Sequence, residues 1–424
     1  MPIPVQIKKY LDSRGVDGPW QISGATGDKF AGAVVIPSLA ENESLPATLV
    51  SLARNPLDLL SRFLVLVVVN HRADADPADK EDNFRLLKRL EQGNDFPRTI
   101  NLAWVDAASP GKELSARGGG VGLARKIGFD FALPRLDHGR GEALLVALDA
   151  DTLVRPDYLP ALVNHFRTVA CGGAVIPFRH REGDSPRNDE AIRRYELFLR
   201  CYVQGLARAD SPYAFHTVGS AMACTAGAYA KAGGMNTRTA GEDFYFLQQL
   251  RRTSGVAQVE GTVVYPSARA SHRVPFGTGR SVGRLLADGD EAVLFYRAEC
   301  FQTLGEWLAL VAKHIDRPGR EIHARSGDIS GHLHGYLDDN GFPEIWEKLR
   351  RASRDIAGLS SAFHGWFDGL KTMKLIHHLS AGPYPRSRPE EAVPALLRWA
   401  GLESSTDIGN QLALLRNVQI GRFS

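Results

Sequence analysis

"LLVALDADTLV", residues 144–154, gives the clearest indication of the fold of this chain. An apolar run, typical of a strand buried in a sheet, leads directly into two aspartates, Asp149 and Asp151. Carboxylates at the end of a buried strand need a cation to meet them. In an open α/β sheet, ligands bind at the carboxyl ends of the strands. We therefore expect a sheet strand that brings two carboxylates to a cationic ligand.

The sequence on both sides of this stretch alternates between strand patterns and helix patterns. Strand patterns occupy 33–36, 62–70, 99–106 and 142–151, and helical patterns follow them at 45–52, 83–92, 120–133 and 156–167. This order predicts an α/β fold with a mostly parallel open sheet and helices on both faces. From about residue 281 the pattern is helical and amphipathic. We therefore predict an irregular N-terminal extension at 1–30, an α/β domain at 31–280 and a helical C-terminal domain at 281–424.

Composition excludes several classes of protein. The 424 residues include 51 basic and 48 acidic side chains, so a net charge of +3 gives no argument for binding nucleic acid or membranes. The longest apolar run, at 63–69, is too short for a transmembrane segment, and the N-terminus lacks the apolar core of a signal peptide. The four cysteines form no C-x-x-C pair, which favours buried free thiols. We expect a cytoplasmic protein.

The aspartate pair is compatible with two kinds of enzyme. Paired hard oxygen ligands suit Mg²⁺ or Mn²⁺, and such an ion could neutralise a diphosphate leaving group. D-x-D holds the metal in sugar-nucleotide transferases of GT-A type. "LDADT" also matches the D-x-D-x-T strand end of haloacid-dehalogenase-type phosphatases, where Asp149 would be the nucleophile. A structural alternative is that the segment only caps the next helix through Thr152 or Asp157.

Five segments in chain order resemble motifs of the family-2 glycosyltransferases. They are "VVIPSLAENESLPATLVSL" (34–52), the strand ending in Asn70, "GGGVGLARKIGFD" (118–130), "LVALDADTLVRPDYL" (145–159), and "VGSAMACTAGAYAKAGGM" (218–235) with "GEDFYFLQQL" (241–250). The resemblance covers about residues 31–275 and implies a GT-A fold. Two positions depart from the family pattern, because Ala40 and Lys126 stand where the family has asparagine.

The resemblance implies metal-dependent, inverting transfer of one sugar from a nucleoside diphosphate sugar to an acceptor hydroxyl. The Q-x-x-R-W motif of processive polysaccharide synthases is missing, which favours a small or soluble acceptor. Two alternatives stay open at this point. One is the phosphatase with Asp149 as nucleophile, and the other is a nucleotide-binding regulator that has lost catalytic activity.

The resemblance also implies a role for individual residues. Asp243 would be the general base, and Glu242 would orient it or the acceptor, although both acids could simply complement the dipole of a helix. The metal ligands would be Asp149, Asp151 and His272. The nucleotide sugar would contact Pro37, Ser38, Glu41, Asn70, Lys112, Arg125, Asp149 and Ala150; a lid over the diphosphate would carry Arg269, Arg273 and Arg280; and the acceptor would contact Gly219 and Ser220.

The C-terminal region offers less chemistry. Its tryptophans, Trp307, Trp346, Trp366 and Trp399, lie among apolar residues at helical spacing, which predicts core packing. "GHLHGYLDD" (331–339) resembles a metal-binding tract, but histidines at i and i+2 do not share a helix face. We predict a surface loop there. The region could complete the acceptor pocket or form a homo-oligomer.

Overall fold

The structure is a computed structural model that describes residues 2–25, 27, 29–139, 141–271 and 277–420. Its strands are β1 Ile22–Gly24, β2 Gly32–Ser38, β3 Phe63–Asn70, β4 Asn101–Ala107, β5 Leu144–Ala147, β6 Leu153–Val154, β7 Gly173–Val175, β8 Met222–Thr225, β9 Val256–Gln258 and β10 Val264–Tyr265. The first nine helices are α1 Val5–Arg14, α2 Leu45–Leu52, α3 Leu57–Leu60, α4 Pro77–Gln92, α5 Val121–Ala132, α6 Tyr158–Thr168, α7 Pro186–Arg208, α8 Ala226–Ala232 and α9 Glu242–Ser254. The others are α10 Thr278–Asp288, α11 Ala298–Lys313, α12 Gly319–Ile329, α13 Gly331–Asp339, α14 Phe342–Ala352, α15 Ile356–Trp366, α16 Gly369–Ala381, α17 Pro389–Trp399 and α18 Ile408–Ile420.

The main sheet has eight strands in the order β1-β4-β3-β2-β5-β8-β7-β9. Strands β4, β3, β2 and β5 are parallel neighbours, while β1 and β8 run antiparallel to the strands beside them. Every residue of β2, β3 and β5 is buried, because helices cover both faces of the sheet. This explains why β3 reads as a continuous apolar run. The predicted mostly parallel α/β sheet is confirmed.

The parallel register places the functional residues at one edge of the sheet. In β2, Ser38 pairs with Val69 of β3, one residue before Asn70. Strand β5 pairs with β2 in parallel and ends at Ala147, two residues before Asp149. The carboxyl ends of these three strands therefore meet at the same edge, as the aspartate stretch predicted.

The N-terminal region is more ordered than an irregular extension. It forms helix α1 and strand β1, which pairs with the edge strand β4. Tyr10 donates a hydrogen bond to Asp130 at 2.8 Å, and Lys126 donates to the same buried carboxylate at 2.7 Å. Lys126 thus anchors the N-terminal helix. The prediction of irregular structure was wrong, because only Ile7 and Tyr10 of α1 are buried and so short an apolar pattern gives little helical signal.

The chain divides into two compact units. The first comprises Met1–Asp184 and Thr217–Arg280, and the second comprises Ser185–His216 and Ser281–Gly421. One limit of these units falls at Arg280. Residues 185–216, which the sequence analysis assigned to the α/β domain, group instead with the C-terminal helices. The physical reason is a buried ion pair, because Arg416 of α18 donates to Glu196 of α7 at 2.7 Å.

The second unit has an aromatic core. Trp307 and Trp346 are fully buried beside Phe342 and Phe363, which confirms core packing for these two tryptophans. Trp366 and Trp399 are partly buried against the same core.

The segment 331–339 is helix α13, so the predicted surface loop was wrong. Ser330 caps this helix by accepting a hydrogen bond from the N–H of Leu333. Leu333, Tyr336 and Leu337 are buried, which gives the helix one apolar face.

The cysteines carry free thiols. Cys201, Cys224 and Cys300 are buried as predicted, and Cys171 is half-buried. Throughout the described ranges, no helix combines the length and the apolar character needed to cross a bilayer.

Candidate active site

Helix α5 carries the arginine at the centre of the site. The helix packs closely on β2 and β3, because Gly128 has no side chain to collide with Val35. This contact fixes the position of Arg125, one turn earlier on the helix. The Arg125 side chain is only 3% exposed.

Arg125 joins two carboxylates from distant parts of the sequence. One terminal nitrogen donates to Asp149 beyond β5, and the other donates to Glu242 at the start of α9. Glu242 is 4% exposed, so Arg125 supplies the countercharge that a buried carboxylate needs. The guanidinium therefore couples the strand-end aspartate to the acidic helix start.

Gly219, a predicted acceptor residue, lies against the Arg125 guanidinium. Any Cβ at this position would collide with the guanidinium, so only glycine allows this close approach. Ser220, the other predicted acceptor residue, is buried beside it. The position of Gly219 is thus explained by packing against Arg125.

Asp243 opens helix α9 next to Glu242 and is half-buried. Its Oδ1 atom accepts a hydrogen bond from the N–H of Phe244 at 2.7 Å. Burial raises the pKa of Asp243, whereas the Arg125 guanidinium and the Phe244 N–H oppose the rise and Asp149 adds to it. The net shift of the pKa is upward, so this carboxylate is a stronger base than an ordinary aspartate.

The second aspartate of the pair meets a different arginine. Arg269 lies 3.2 Å from the Asp151 carboxylate and also contacts Glu41. Arg181 donates to the Asp151 carbonyl at 3.0 Å, and Thr48 donates to the Ala150 carbonyl at 2.8 Å. These contacts fix the loop that carries both aspartates.

The aspartate pair fits a divalent metal ion. The side chains of Asp149 and Asp151 are 36% and 22% exposed, and each lies against an arginine that offsets its charge. Mg²⁺ and Mn²⁺ take few protein ligands and complete their coordination with water and phosphate oxygens. His272, the predicted third ligand, lies outside the described residues, as does Arg273 of the predicted lid.

The ends of β2 and β3 carry three predicted donor contacts. Pro37 and Ser38 close β2, and the buried Ser38 hydroxyl has no hydrogen-bond partner among the described residues. Asn70 closes β3, and its amide donates to the carbonyls of Ser38 and Val68 at 3.2 and 2.9 Å. The Asn70 side chain therefore braces the two strand ends and leaves only its oxygen for a ligand.

Ala40 follows β2 in the left-handed region, with φ of 54°. Asparagine adopts this conformation more readily than alanine. The backbone conformation therefore gives a physical reason for asparagine at the corresponding position in the family pattern.

Lys112, another predicted donor contact, pairs with Asp106 at 3.0 Å. Burial raises the pKa of Asp106, but the Ser109 N–H and the Lys112 ammonium outweigh burial and lower it overall. The sequence analysis did not single out Asp106 or Arg181, although both contact predicted site residues. The sequence could have indicated Asp106, because it stands near the end of a strand as Asn70 does.

Arg280 of the predicted lid is exposed on α10.

Comparison with known sequences decides which enzyme class this site belongs to. The sequence model of "Glycosyl transferase family group 2" matches residues 144–402, more than half of the chain. This chain belongs to that family. The sheet and its flanking helices are accordingly the GT-A fold of a glycosyltransferase. Family membership also decides against the phosphatase interpretation of Asp149. No curated protein matches the sequence significantly.

Solved structures give a more distant likeness. S. aureus TarS is 13% identical with a TM-score of 0.35, over 65% of this glycosyltransferase and 43% of that chain. Its 1–349 form in complex with UDP-GlcNAc is 12% identical with a TM-score of 0.36, over 92% of both chains. The mannosyltransferase PcManGT from Pyrobaculum calidifontis, in complex with GDP-Man and Mn²⁺, is 15% identical with a TM-score of 0.37, over 89% of this chain and 92% of that chain. The chain thus spans less than half the length of the first of these TarS chains.

Proposed function

We propose that this glycosyltransferase transfers a single sugar from a nucleoside diphosphate sugar to the hydroxyl of a small or soluble acceptor, with inversion and with a divalent metal ion. One observation carries the proposal. Arg125 bridges Asp149 and Glu242, so the aspartate pair and the acidic start of α9 belong to one site. Metal binding and proton transfer, the two functions that the reaction needs, therefore lie on opposite sides of one guanidinium.

The donor side of the site is built from carboxylates that arginines hold in place. Asp149 and Asp151 would hold the metal ion, Mg²⁺ or Mn²⁺, which would supply charge neutralisation for the diphosphate leaving group. Arg269 contacts Asp151, so it stands where a diphosphate on that ion would lie. Pro37, Ser38, Glu41, Asn70, Lys112 and Ala150 form the wall for the nucleotide sugar.

Asp243 provides the general base on the acceptor side. Its ionised carboxylate takes the proton of the acceptor hydroxyl, while the acceptor oxygen forms the new bond to the anomeric carbon. The bond from that carbon to the diphosphate oxygen breaks on the opposite face, which inverts the configuration. The raised pKa brings Asp243 closer to the operating pH and so favours proton transfer. Glu242, paired with Arg125, orients this end of the helix, and Gly219 and Ser220 border the acceptor.

The cysteines support a cytoplasmic location for the protein. Four free cysteines fit a reducing cytoplasm, and the balanced charge gives no argument for binding nucleic acid.

Arg280, on α10, belongs to the proposed lid over the diphosphate. The helical second unit is proposed as the surface for any homo-oligomer.

Donor binding should raise the melting temperature only when a divalent ion is present. A ligand that binds the native state at 100 times its Kd adds about 2.7 kcal/mol to the free energy of unfolding. A thermal-shift series would compare UDP, GDP, ADP and CDP, each with Mn²⁺ and with EDTA. We expect one nucleotide to shift the melting temperature with Mn²⁺ and to lose that shift with EDTA. A shift of equal size in EDTA, or no shift with any nucleotide, would contradict the proposal.

A further inference from the structure

Three metal-ligating side chains converge in the second unit, outside the site described above. His323 lies on α12, and His334 and Asp338 lie one turn apart on α13. One ligand atom from each residue lies within 4.8 Å of the others. Among the described residues, this is the group of at least three histidine, cysteine or acidic side chains whose ligand atoms lie this close together.

The distances suit a small coordination sphere. His323 Nε2 lies 3.1 Å from one Asp338 oxygen, and His334 Nε2 lies 3.9 Å from the other. Zn²⁺ binds histidine nitrogen and carboxylate oxygen at about 2.0–2.2 Å, and a tetrahedron with such bonds places neighbouring ligand atoms roughly 3.3 Å apart. The two separations lie on either side of that value but end on different oxygens of Asp338. Binding one ion therefore requires the side chains to rotate and His323 Nε2 to give up its 3.3 Å contact with the His334 carbonyl.

Hydrogen bonds fix one of the imidazoles in an orientation suited to a metal. His334 Nδ1 lies 3.0 Å from the His323 carbonyl, and a proton on Nδ1 would donate to that oxygen. His334 Nε2 then carries the lone pair, and it lies 3.9 Å from an Asp338 oxygen. Metal-binding histidines commonly donate their second ring N–H to a carbonyl or carboxylate in this way. Ser326 also donates to the His323 carbonyl, at 2.6 Å, which fixes the acceptor.

The exposed side of the cluster gives an ion a path to the three side chains. His323 is 12% exposed and Asp338 is 58% exposed, so the cluster has a covered side and an open side. Water could supply a fourth ligand at the open side. The two rings are stacked with centroids 3.9 Å apart, and the Nε2 atom of each ring lies within 4 Å of an Asp338 oxygen. A simple ion pair would need only one of them.

We propose that His323, His334 and Asp338 bind one Zn²⁺ ion that ties α12 to α13. Two imidazoles and one carboxylate select zinc and related transition metals, whereas the all-oxygen pair Asp149 and Asp151 suits Mg²⁺ or Mn²⁺. The chain would therefore carry two chemically distinct metal sites. The zinc site stands on its own geometry and does not depend on the proposed transfer reaction.

Calorimetric titration of the EDTA-treated full chain with Zn²⁺, without nucleotide, tests this site. We expect one Zn²⁺ per chain, and we expect His334→Gln or His323→Gln to weaken binding by at least about 10–100-fold. His332→Gln is the matched control, because His332 lies two residues from His334 on the same helix and outside the cluster. Both His332→Gln and Asp151→Asn should keep the zinc affinity of the unchanged protein. Unchanged affinity in His334→Gln, or loss of zinc in Asp151→Asn, would overturn the proposal.

Spectroscopy of the unsubstituted protein tests the same site without any variant. Co²⁺ bound by these residues and water is expected to show the intense visible absorption of four-coordinate cobalt, and Zn²⁺ should displace it. Only the weak bands of six-coordinate Co²⁺ would overturn the assignment. This readout keeps the proposal testable if the histidine variants fail to fold.

Discussion

Replacing Asp243 by asparagine is expected to lower kcat by about 10²–10⁴-fold, the range that a general base contributes. The reason is that an amide cannot take the proton of the acceptor hydroxyl. Donor affinity should be unchanged, because the metal ligands in the proposed function are Asp149 and Asp151. The amide oxygen of asparagine can still accept the N–H of Phe244, so the start of α9 stays intact.

The measurement is kcat together with the Kd of the nucleoside diphosphate in the same preparation. Near-normal turnover in Asp243→Asn would show that Asp243 only complements the helix dipole. Loss of donor binding from a folded variant would make Asp243 a donor or metal residue instead.

The raised pKa of Asp243 adds two further expectations. The base must be ionised, so kcat should fall as the pH drops through this pKa, and the fall should begin at a higher pH than an ordinary aspartate would give. A carboxyl whose pKa is higher in the folded state lowers the stability of the fold as the pH rises from its ordinary pKa to the raised one, and the loss is complete above the raised pKa. At neutral pH, Asp243→Asn should therefore melt at a temperature equal to or above that of the unchanged protein. A clear loss of stability would contradict the direction of the shift.

Replacing Arg125 by methionine is expected to lower the free energy of unfolding by about 3–5 kcal/mol. The substitution leaves the buried Glu242 carboxylate without its countercharge and removes the bridge to Asp149. The double variant Arg125→Met, Glu242→Gln should recover much of the loss, because no unpaired buried charge remains. Denaturant unfolding of the single and double variants measures this coupling.

The matched control is Arg155→Met. Arg155 contacts Asp157 at 2.9 Å, but both side chains are partly exposed. Such a pair contributes about 0–1 kcal/mol. An Arg125→Met variant as stable as Arg155→Met would show that the bridge does not hold the site together.

Local sequence patterns were enough to predict the sheet and the strand edge at which Asp149 and Asp151 lie. The uniformly apolar sequence of β3 predicted a strand buried on both faces. The apolar run before Asp149 and Asp151 predicted that these residues follow the end of a strand. Both predictions depend only on residues that are consecutive in the sequence. The core positions of Trp307 and Trp346 followed from helical spacing in the same way.

Contacts between distant segments escaped the sequence analysis. The partner of Asp151 is Arg269, and the partner of Glu242 is Arg125, and no local pattern joins either pair. The cluster of His323, His334 and Asp338 was missed because helical spacing compares residues on one helix, whereas His323 lies on the helix before His334.

Asp151 is proposed to bind a divalent ion that holds the donor's diphosphate. Calorimetric titration can test this with the nucleoside diphosphate identified by thermal shift, added to the unchanged protein and to Asp151→Asn, with Mn²⁺ and with EDTA. We expect the unchanged protein to bind tightly only with Mn²⁺, and Asp151→Asn to lose at least about tenfold in affinity while remaining folded. Equal affinity in Asp151→Asn, or equal affinity of the unchanged protein in EDTA, would show that Asp151 does not bind such an ion.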